Sequence, residues 1–214
     1  MFTGIVQGLK RIHRIEQAEG LRRVDVELGE LARGLEPGAS VAVNGVCLTA
    51  TRVNGATASF DVIAETLART NLGAVEAGTL VNVERSMTLA DEIGGHRVSG
   101  HVYDTASVAA IESGPGTRVL WFEVAPRWMA YLYYKGFVAV DGASLTISGI
   151  DAARARFSVS LIPETIARTT LGTITTGGRV NLEVDTQTQT IVDTVERMLT
   201  APEWRARLKS LLAS

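Results

Sequence analysis

Two short blocks of the chain place a thiol and a hydroxyl at matched positions. Residues 41–49 read VAVNGVCLT and residues 138–146 read VAVDGASLT, so Cys47 corresponds to Ser144. A thiolate and an activated hydroxyl are both nucleophiles, and a matched pair in two similar pockets would let one site react while the other only binds. The alternative is that Cys47 is a small buried apolar side chain, as free cysteines often are. The sequence leaves both interpretations open.

Three other side chains have types suited to proton transfer or charge stabilisation. His101 lies in the stretch GGHRVSGHVYD, where an imidazole can act as an acid or base near pH 7; a solvated loop histidine is the alternative. Lys135 follows an aromatic run in a chain that takes most of its positive charge from Arg, so its compact ammonium group is a candidate, against an ordinary strand-end lysine. Asp185 ends the last predicted strand, where a helix N-cap is its plainer role.

Other kinds of site are excluded by motifs that the sequence lacks. It contains no G-x-G-x-x-G after a strand and no G-x-x-x-x-G-K-[ST], two common phosphate cradles. His13, His96 and His101 lack the i, i+4 spacing of a helical zinc pair. We therefore expect no zinc site and neither of these two phosphate cradles.

The composition indicates which classes of binding partner and which cellular compartment to expect. With 21 basic and 23 acidic residues the net charge is −2, so the chain as a whole lacks the positive field typical of proteins that bind nucleic acid or anionic membranes. No apolar run approaches the roughly 18 residues of a membrane span, and the beginning of the chain does not resemble a signal peptide. A single Cys excludes an internal disulfide. These features predict a soluble, cytoplasmic protein.

The matched blocks belong to a longer internal repeat that must position these side chains. ETLARTNLG at 65–73 recurs as ETIARTTLG at 164–172, and VNVE at 81–84 recurs as VNLE at 180–183, in the same order as the first pair of blocks. A period of about 100 residues is far longer than that of a solenoid or propeller, so each copy should form a small domain with its own core. We predict one domain at 1–96, a second at 97–185 and a C-terminal segment at 186–214.

Positions that agree between the copies have a structural interpretation. Gly45 and Gly142 are expected at tight turns with a positive φ, and Leu48 and its twin Leu145 are expected in two cores.

Within each copy, apolar residues alternate over short runs separated by glycines. Examples are Val24, Val26 and Leu28 in the first copy and Leu120, Phe122 and Val124 in the second. Period two predicts half-buried strands, and many short strands with glycine turns predict an antiparallel barrel or sandwich in each copy. The ETLARTNLG block and its twin lack this alternation and predict a short helix, with Gly73 and Gly172 just after its end.

After Asp185 the apolar pattern changes from strand to helix. Thr186 can cap a helix, with Gln189 three residues later. The apolar stripe of this helix comprises Ile191, Val192, Val195, Met198 and Leu199. Pro202 suits the first turn of a further helix. The stripe of that second helix comprises Trp204, Leu208, Leu211 and Leu212. A helix appended to two barrels either caps one of them or contacts its copies in an oligomer.

Taken in order, the blocks resemble the riboflavin synthase family of the alpha-chain type. The match runs from MFTGIV through NGVCLT, ETLARTNLG, DEIGGH, SGHV, YKG, VDGASLT, LIPETIARTTLG and VNLEVD to TQTIVDTVERML, over nearly all of residues 1–199. The resemblance implies a mainly β fold of two tandem, homologous, six-stranded antiparallel Greek-key barrels plus a C-terminal α-helix that joins three chains into a homotrimer. It also implies a transferase reaction, the final step of riboflavin biosynthesis, and an association with lumazine synthase.

In that reaction two molecules of 6,7-dimethyl-8-ribityllumazine dismutate to riboflavin and 5-amino-6-(ribitylamino)uracil, without a metal or redox cofactor. The resemblance implies two lumazine pockets per chain, with each complete site lying between the first barrel of one chain and the second barrel of a neighbour. The first pocket would be lined by Gly4, Ile5, Val6, Cys47, Leu48, Thr49, Asp61, Val62, Ile63, Ala64, Glu65 and Thr66. The second would be lined by Gly100, His101, Val102, Lys135, Ser144, Leu145, Thr146, Ser160, Leu161, Ile162, Pro163, Glu164 and Thr165. Phe2 would contact the ring system.

For catalysis the resemblance implies Cys47, His101, Ser144 and Asp185, with Lys135 as an electrostatic neighbour. Two substrates held face to face supply proximity and orientation, and the acidic C7 methyl group of the lumazine needs a base. The sequence leaves open which residue is that base and whether Cys47 or water adds to the lumazine. The main alternative is a non-catalytic lumazine or flavin carrier of the same fold. A flavin-binding reductase module is a more distant one, because the sequence shows no nucleotide-binding βαβ domain.

Overall fold

A computed structural model describes residues 1–205 and residue 210, and in it the first copy of the repeat forms a closed barrel. Its strands are β1 (Gly8–Ala18), β2 (Leu21–Glu27), β3 (Ser40–Val43), β4 (Val46–Asn54), β5 (Thr57–Ile63) and β6 (Leu80–Arg85). Neighbouring strands are antiparallel and follow the order β1-β2-β5-β4-β3-β6, closing between β6 and β1. Strand β4 shows the alternating burial that forms the barrel core, because Leu48 and Ala50 are buried in the barrel while Thr49 between them is exposed.

The second copy forms an equivalent barrel. Its strands are β7 (Asp104–Gly114), β8 (Thr117–Glu123), β9 (Phe137–Val140), β10 (Ala143–Asp151), β11 (Arg156–Leu161) and β12 (Arg179–Val184). The order β10-β11-β8-β7-β12-β9 is that of the first barrel, strand for strand. Phe122 and Phe157 pack at the centre of its core, with ring centroids 5.2 Å apart. Two tandem six-stranded antiparallel barrels with Greek-key connections are therefore confirmed.

A short helix follows the fifth strand of each barrel, as predicted. These helices are α1 (Ala64–Arg69) and α2 (Pro163–Arg168), and a 3₁₀ turn follows each, at Asn71–Ala74 and Thr170–Gly172. The prediction that Gly73 and Gly172 cap these helices is wrong, because both glycines lie inside the 3₁₀ turns. A Cβ at either position would collide with a helix carbonyl, that of Leu67 or Ile166, so the glycines allow the chain to fold back closely.

The two barrels meet at the hairpin turns β3–β4 and β9–β10. Asn44 and Gly45 form the first turn with φ angles of 46° and 77°, and Asp141 and Gly142 form the second with 45° and 80°. Two successive positive φ angles are the signature of a type I′ turn. A Cβ on Gly45 would lie 2.5 Å from the backbone nitrogen of Gly142, so glycine is required by conformation and by close approach. The predicted glycine turns are confirmed.

Residues 2–6 and 98–102 precede the two barrels and form what we term the crossing segments. Phe2 and Val98 pair as an antiparallel bridge, with N–H to carbonyl distances of 2.8 and 3.1 Å. Each segment reaches the barrel of the other copy: Val6 packs in the core of the second barrel, and Val102 packs against the core of the first. The two copies therefore exchange their leading segments.

The C-terminal helix α3 (Thr186–Thr200) follows directly on β12. Its N-cap is Asp185, one residue before the predicted Thr186, because the Asp185 carboxylate accepts hydrogen bonds from the N–H and the hydroxyl of Thr188 at 2.8 and 2.7 Å. The Tyr131 hydroxyl donates to Asp193 over 2.6 Å and ties the helix to the second barrel.

Part of the predicted apolar stripe of α3 is left uncovered within this chain. Ile191, Val195 and Leu199 are 64%, 48% and 53% exposed. Residues 202–205 continue as helix, and Leu208, Leu211 and Leu212 of the second predicted stripe lie outside the described residues. Among the helices of the described part of the chain, none combines the length and apolar character needed to cross a membrane.

Candidate functional site

The first of two candidate sites is built around Ser144 on β10, and we term it the Ser144 site. The Ser144 N–H donates to the Gly4 carbonyl over 2.8 Å, and a Cβ on Gly4 would lie 2.5 Å from the Ser144 Cβ. The leading segment of the first copy thus extends the edge of β10. Beside it is a cavity of about 200 Å³. Its lining comprises Gly4, Ile5, Val6, Ala143, Ser144, Ile162, Glu164, Thr165, Arg168 and Thr169.

His96 completes the Ser144 site from the junction between the copies. Its Nδ1 lies 2.6 Å from the Ser144 Oγ, and its ring stacks on Phe137 with centroids 5.1 Å apart. The His96 side chain is buried, and burial lowers its pKa below the ordinary 6.5, while the negative charge of Asp185 acts in the opposite direction. The imidazole is therefore neutral at pH 7 and can accept a proton through the serine hydroxyl.

Sequence reasoning missed His96, which it considered only as a zinc ligand. The signal available was position: His96 falls in the same glycine-rich junction as His101. Its contact with Ser144 spans 48 residues, and neither the repeat nor the strand pattern encodes that distance.

Asp185 lies near the Ser144 site without touching Ser144. Its carboxylate caps α3, and it borders a second cavity of about 290 Å³, together with His96, Tyr133, Phe137 and Ile191. Phe137 and Tyr133 are exposed, as is Ile191 on α3, so exposed apolar side chains beside the Ser144 site adjoin the uncovered helix stripe.

The second candidate site, the Cys47 site, is the pseudo-symmetric counterpart on the first barrel. The Cys47 N–H donates to the Gly100 carbonyl over 2.9 Å, and a Cβ on Gly100 would lie 2.6 Å from the Cys47 Cβ. Phe2 also lies here, its ring edge 2.9 Å from the position of that Cβ. Cys47 is a free, half-buried thiol. His101 follows Gly100, is exposed, and donates its backbone N–H to the Ser99 hydroxyl over 3.0 Å.

This geometry corrects the predicted grouping of the pocket residues. Gly4, Ile5 and Val6 were expected beside Cys47, but they line the Ser144 site. Residues 100–102 were expected beside Ser144, but Gly100 contacts Cys47 and Val102 packs on the first barrel. The physical reason is the exchange of the crossing segments. Because the barrels are homologous, a leading segment fits the edge of either one, and the sequence does not specify which.

Several predicted lining residues direct their side chains into the barrels. The buried ones are Leu48, Val62, Leu145 and Leu161, which belong to the two cores. Only their backbone groups are left to face a ligand. On the first barrel, Thr49, Ile63, Ala64 and Glu65 are exposed and Thr66 is half-buried. On the second barrel, Thr146, Ser160, Ile162, Pro163 and Glu164 are exposed and Thr165 is half-buried. Of these, Ile162, Glu164 and Thr165 line the cavity of the Ser144 site.

Two predicted polar groups have other contacts. Asp61 forms a bidentate ion pair with Arg23, whose Nε and Nη2 donate to the two carboxylate oxygens at 2.8 and 3.1 Å. Lys135 has a positive φ of 67°, and its ammonium lies 5.2 Å from the ring centre of Tyr134. Among the described residues, no three His, Cys, Asp or Glu side chains cluster in a way that could hold a metal ion.

Comparison with known proteins identifies this arrangement as a duplicated lumazine-binding protein. The model of the lumazine binding domain family matches residues 3–86 and again residues 99–185. In three dimensions the chain is similar to LumP complexed with riboflavin, with a TM-score of 0.80, 24% identity and coverage of 86% of this chain and 100% of that one. It is equally similar in sequence to LumP complexed with 6,7-dimethyl-8-(1'-D-ribityl) lumazine, with a TM-score of 0.77 and coverage of 86% and 99%. At these identities the likeness concerns the fold.

Sequence comparison finds relatives of higher identity than these solved structures. The riboflavin synthase of Escherichia coli (strain K12) is 51% identical over 205 residues, 95% of each chain, and that of Chlamydia pneumoniae is 44% identical over 93% of this chain and 97% of its own. The chain belongs to the riboflavin synthase family of lumazine-binding-domain proteins.

Proposed function

We propose that the protein catalyses the dismutation of two 6,7-dimethyl-8-ribityllumazine molecules by transfer of a four-carbon unit. One molecule gains the four carbons and becomes riboflavin, and the other leaves as 5-amino-6-(ribitylamino)uracil, so all atoms of the two substrates appear in the products. The transfer makes the protein a transferase. Two homologous sites in one chain support this proposal, because the reaction consumes two copies of one ligand.

The observation that carries the catalytic proposal is the hydrogen bond between His96 and Ser144. A buried neutral imidazole 2.6 Å from a hydroxyl is suited to withdraw a proton through that hydroxyl. At the Ser144 site we assign this pair to proton removal from the C7 methyl group of one lumazine. At the Cys47 site we assign Cys47 to the second lumazine, where its thiol can add to the ring. His101 and Lys135 remain proposed neighbours of the reacting rings.

We further propose that three chains assemble through α3, so that the Ser144 site of one chain faces the Cys47 site of another. The support is the apolar surface at 191, 195 and 199, which continues onto Phe137 beside His96. Packing between chains would bury this surface and exclude water from the reacting rings. The free thiol of Cys47 supports a reducing, cytoplasmic location. The association with lumazine synthase stays a prediction from the resemblance.

A non-catalytic carrier is the second candidate, because LumP shares the fold. The identity of 51% over nearly the whole length of a riboflavin synthase favours the enzyme. The distinguishing experiment is to incubate the purified protein with 6,7-dimethyl-8-ribityllumazine alone and to measure both products by chromatography. We expect one riboflavin and one 5-amino-6-(ribitylamino)uracil for every two substrates consumed. Tight binding without turnover would instead identify a carrier.

A further inference from the structure

Two buried glutamates occupy matched positions on the last strand of each barrel. Glu84 on β6 is 4% exposed, and Glu183 on β12 is 3% exposed. The Glu84 Oε1 accepts from the N–H and the hydroxyl of Thr3, both at 2.7 Å, and its Oε2 accepts from the Gly4 N–H at 3.1 Å.

The Glu183 carboxylate repeats this pattern in the second copy. Its Oε1 accepts from the N–H and the hydroxyl of Ser99, both at 2.7 Å, and its Oε2 accepts from the Gly100 N–H at 3.0 Å. Burial raises the pKa of both glutamates, and the hydrogen bonds to the crossing segments oppose that rise.

Gly4 and Gly100, whose N–H groups bind these glutamates, are also the glycines that contact Ser144 and Cys47. The N–H of Gly4 binds Glu84 while its carbonyl accepts from Ser144, and the N–H of Gly100 binds Glu183 while its carbonyl accepts from Cys47. Each glutamate belongs to one barrel and fixes a peptide against the edge of the other. The position of that peptide determines where the residues after it, Ile5 or His101, meet a ligand.

The donor set requires a carboxylate. Both oxygens of each glutamate accept hydrogen bonds, and all three donors are N–H or O–H groups. A glutamine side chain has one acceptor oxygen and one NH₂ group, so it would place a donor against a backbone N–H or against the Thr3 donors. A buried donor left without an acceptor is costly, so the crossing segment would shift.

We propose that Glu84 and Glu183 are positioning residues, each serving one site: Glu84 orients the Ser144 site and Glu183 orients the Cys47 site. This assignment rests on the proposed function for its kinetic consequences, but its structural consequences can be measured without turnover. Two probes report the sites separately. Cys47 is the single cysteine of the chain, and the His96 imidazole bonds Ser144.

The test compares Glu84→Gln and Glu183→Gln in the full-length protein, with the exposed Glu19→Gln as a control for loss of one negative charge. Alkylation of Cys47 by iodoacetamide measures the Cys47 site, and the NMR titration of His96 measures the Ser144 site. We expect Glu183→Gln to change the alkylation rate by about tenfold with His96 unaltered, and Glu84→Gln to shift the His96 titration with alkylation unaltered. Each should lower kcat by about tenfold or more, because small misplacements of reacting groups are expensive.

Milder variants keep the test decisive if a glutamine variant does not fold. Thr3→Val and Ser99→Ala each remove a hydroxyl that donates to the glutamate and accepts from the N–H of Ile5 or His101, and they keep the backbone N–H bonds to the glutamate. Thr3→Val should shift the His96 titration, and Thr3→Ser, which keeps the donor, should restore it. Ser99→Ala should alter only Cys47 alkylation. Equal changes of both probes in every variant, or no change in either, would overturn the assignment. Wild-type protein that shows no turnover while these selective shifts persist would refute the proposed function and leave the positioning role intact.

Discussion

Cys47 and Ser144 stand at the same position of two homologous barrels but have different surroundings. Both backbone N–H groups donate to a crossing-segment carbonyl, that of Gly4 for Ser144 and that of Gly100 for Cys47. Of the two side chains, only that of Ser144 also has a histidine at hydrogen-bonding distance within the described residues, with the His96 Nδ1 2.6 Å from its Oγ. A hydroxyl needs a neighbouring base to act in proton transfer, while a thiol ionises more readily by itself. This difference supports the two roles that we propose, proton removal at the Ser144 site and addition to the ring at the Cys47 site.

At this scale we expect Ser144→Ala to lower turnover by about 10² to 10⁴, the usual contribution of a positioned acid or base. Cys47→Ala should also lower turnover. Both replacements remove one atom from a half-buried position, so the thermal unfolding midpoint should change little. Initial rates of riboflavin formation, with circular dichroism melting as the control for folding, provide the measurement. If both variants turn over at the wild-type rate, neither side chain takes part in catalysis.

Individual site residues were predictable where the repeat allowed two copies to be compared. The pairing of Cys47 with Ser144 emerged from matched blocks in this way. His96 was not predictable, because its importance depends on how the junction between the copies folds back onto β10. Lys135 and Asp61 were expected at the pockets by resemblance, and their observed contacts with Tyr134 and Arg23 depend on side-chain geometry that a sequence pattern does not contain.

At the scale of elements, the strands were the most predictable part of the molecule and the crossing segments the least. Alternation of apolar residues depends only on local burial, so it predicted the strands and left a barrel or a sandwich open, and the family resemblance supplied the barrel. The exchange of residues 2–6 and 98–102 depends on which of two similar barrels each segment meets, and the hydrogen bonds to Glu84 and Glu183 hold it in place. Domain boundaries at 96 and 185 remain predictions.

The uncovered stripe of α3 gives an element-scale prediction about assembly. Val195→Asp places a carboxylate at the centre of the apolar stripe, where burial between chains would leave it without a partner. We expect monomers with little activity, measured by light scattering and by riboflavin formation. Glu196→Gln, at the exposed neighbouring position, should preserve assembly. A Val195→Asp monomer with full activity would contradict a site shared between chains.

At the scale of the whole molecule, the barrels are joined by a polar cluster on the pseudo-twofold axis. Asn44 Oδ1 accepts from the Asn82 N–H at 2.8 Å, and Asp141 Oδ1 accepts from the Asn181 N–H at 2.7 Å. The side-chain amides of Asn82 and Asn181 then donate across the axis to the backbone carbonyls of Asp141 and Asn44. Among these four residues the two halves differ in one side chain, the carboxylate of Asp141, which also accepts from the Asn71 side-chain amide at 2.9 Å.

This asymmetry predicts how stability depends on pH. Burial raises the pKa of Asp141 from 3.8 to about 7, against the hydrogen bonds from Asn181 and Asn71. The folded state therefore holds a proton that the unfolded state releases above pH 3.8, so the free energy of unfolding falls as the pH rises from about 4 to about 7 and stays low above that. At about 1.4 kcal/mol for each pKa unit, the loss amounts to a few kcal/mol.

Asp141→Asn should remove this loss of stability. At the matched position Asn44 shows that an amide fits and that its Oδ1 still accepts from a backbone N–H of the last strand. Urea unfolding at pH 5 and pH 8 provides the measurement. We expect the variant to be more stable than wild type at pH 8, with the advantage shrinking toward pH 5. The reverse exchange, Asn44→Asp, is the matched control and should introduce a new loss of stability between the two pH values.

If the difference in unfolding free energy between pH 5 and pH 8 is the same in both variants as in the wild type, the buried carboxylate does not titrate in this range. The pH dependence of the fold would then have to come from other groups, among them Glu84 and Glu183, whose pKa values burial also raises.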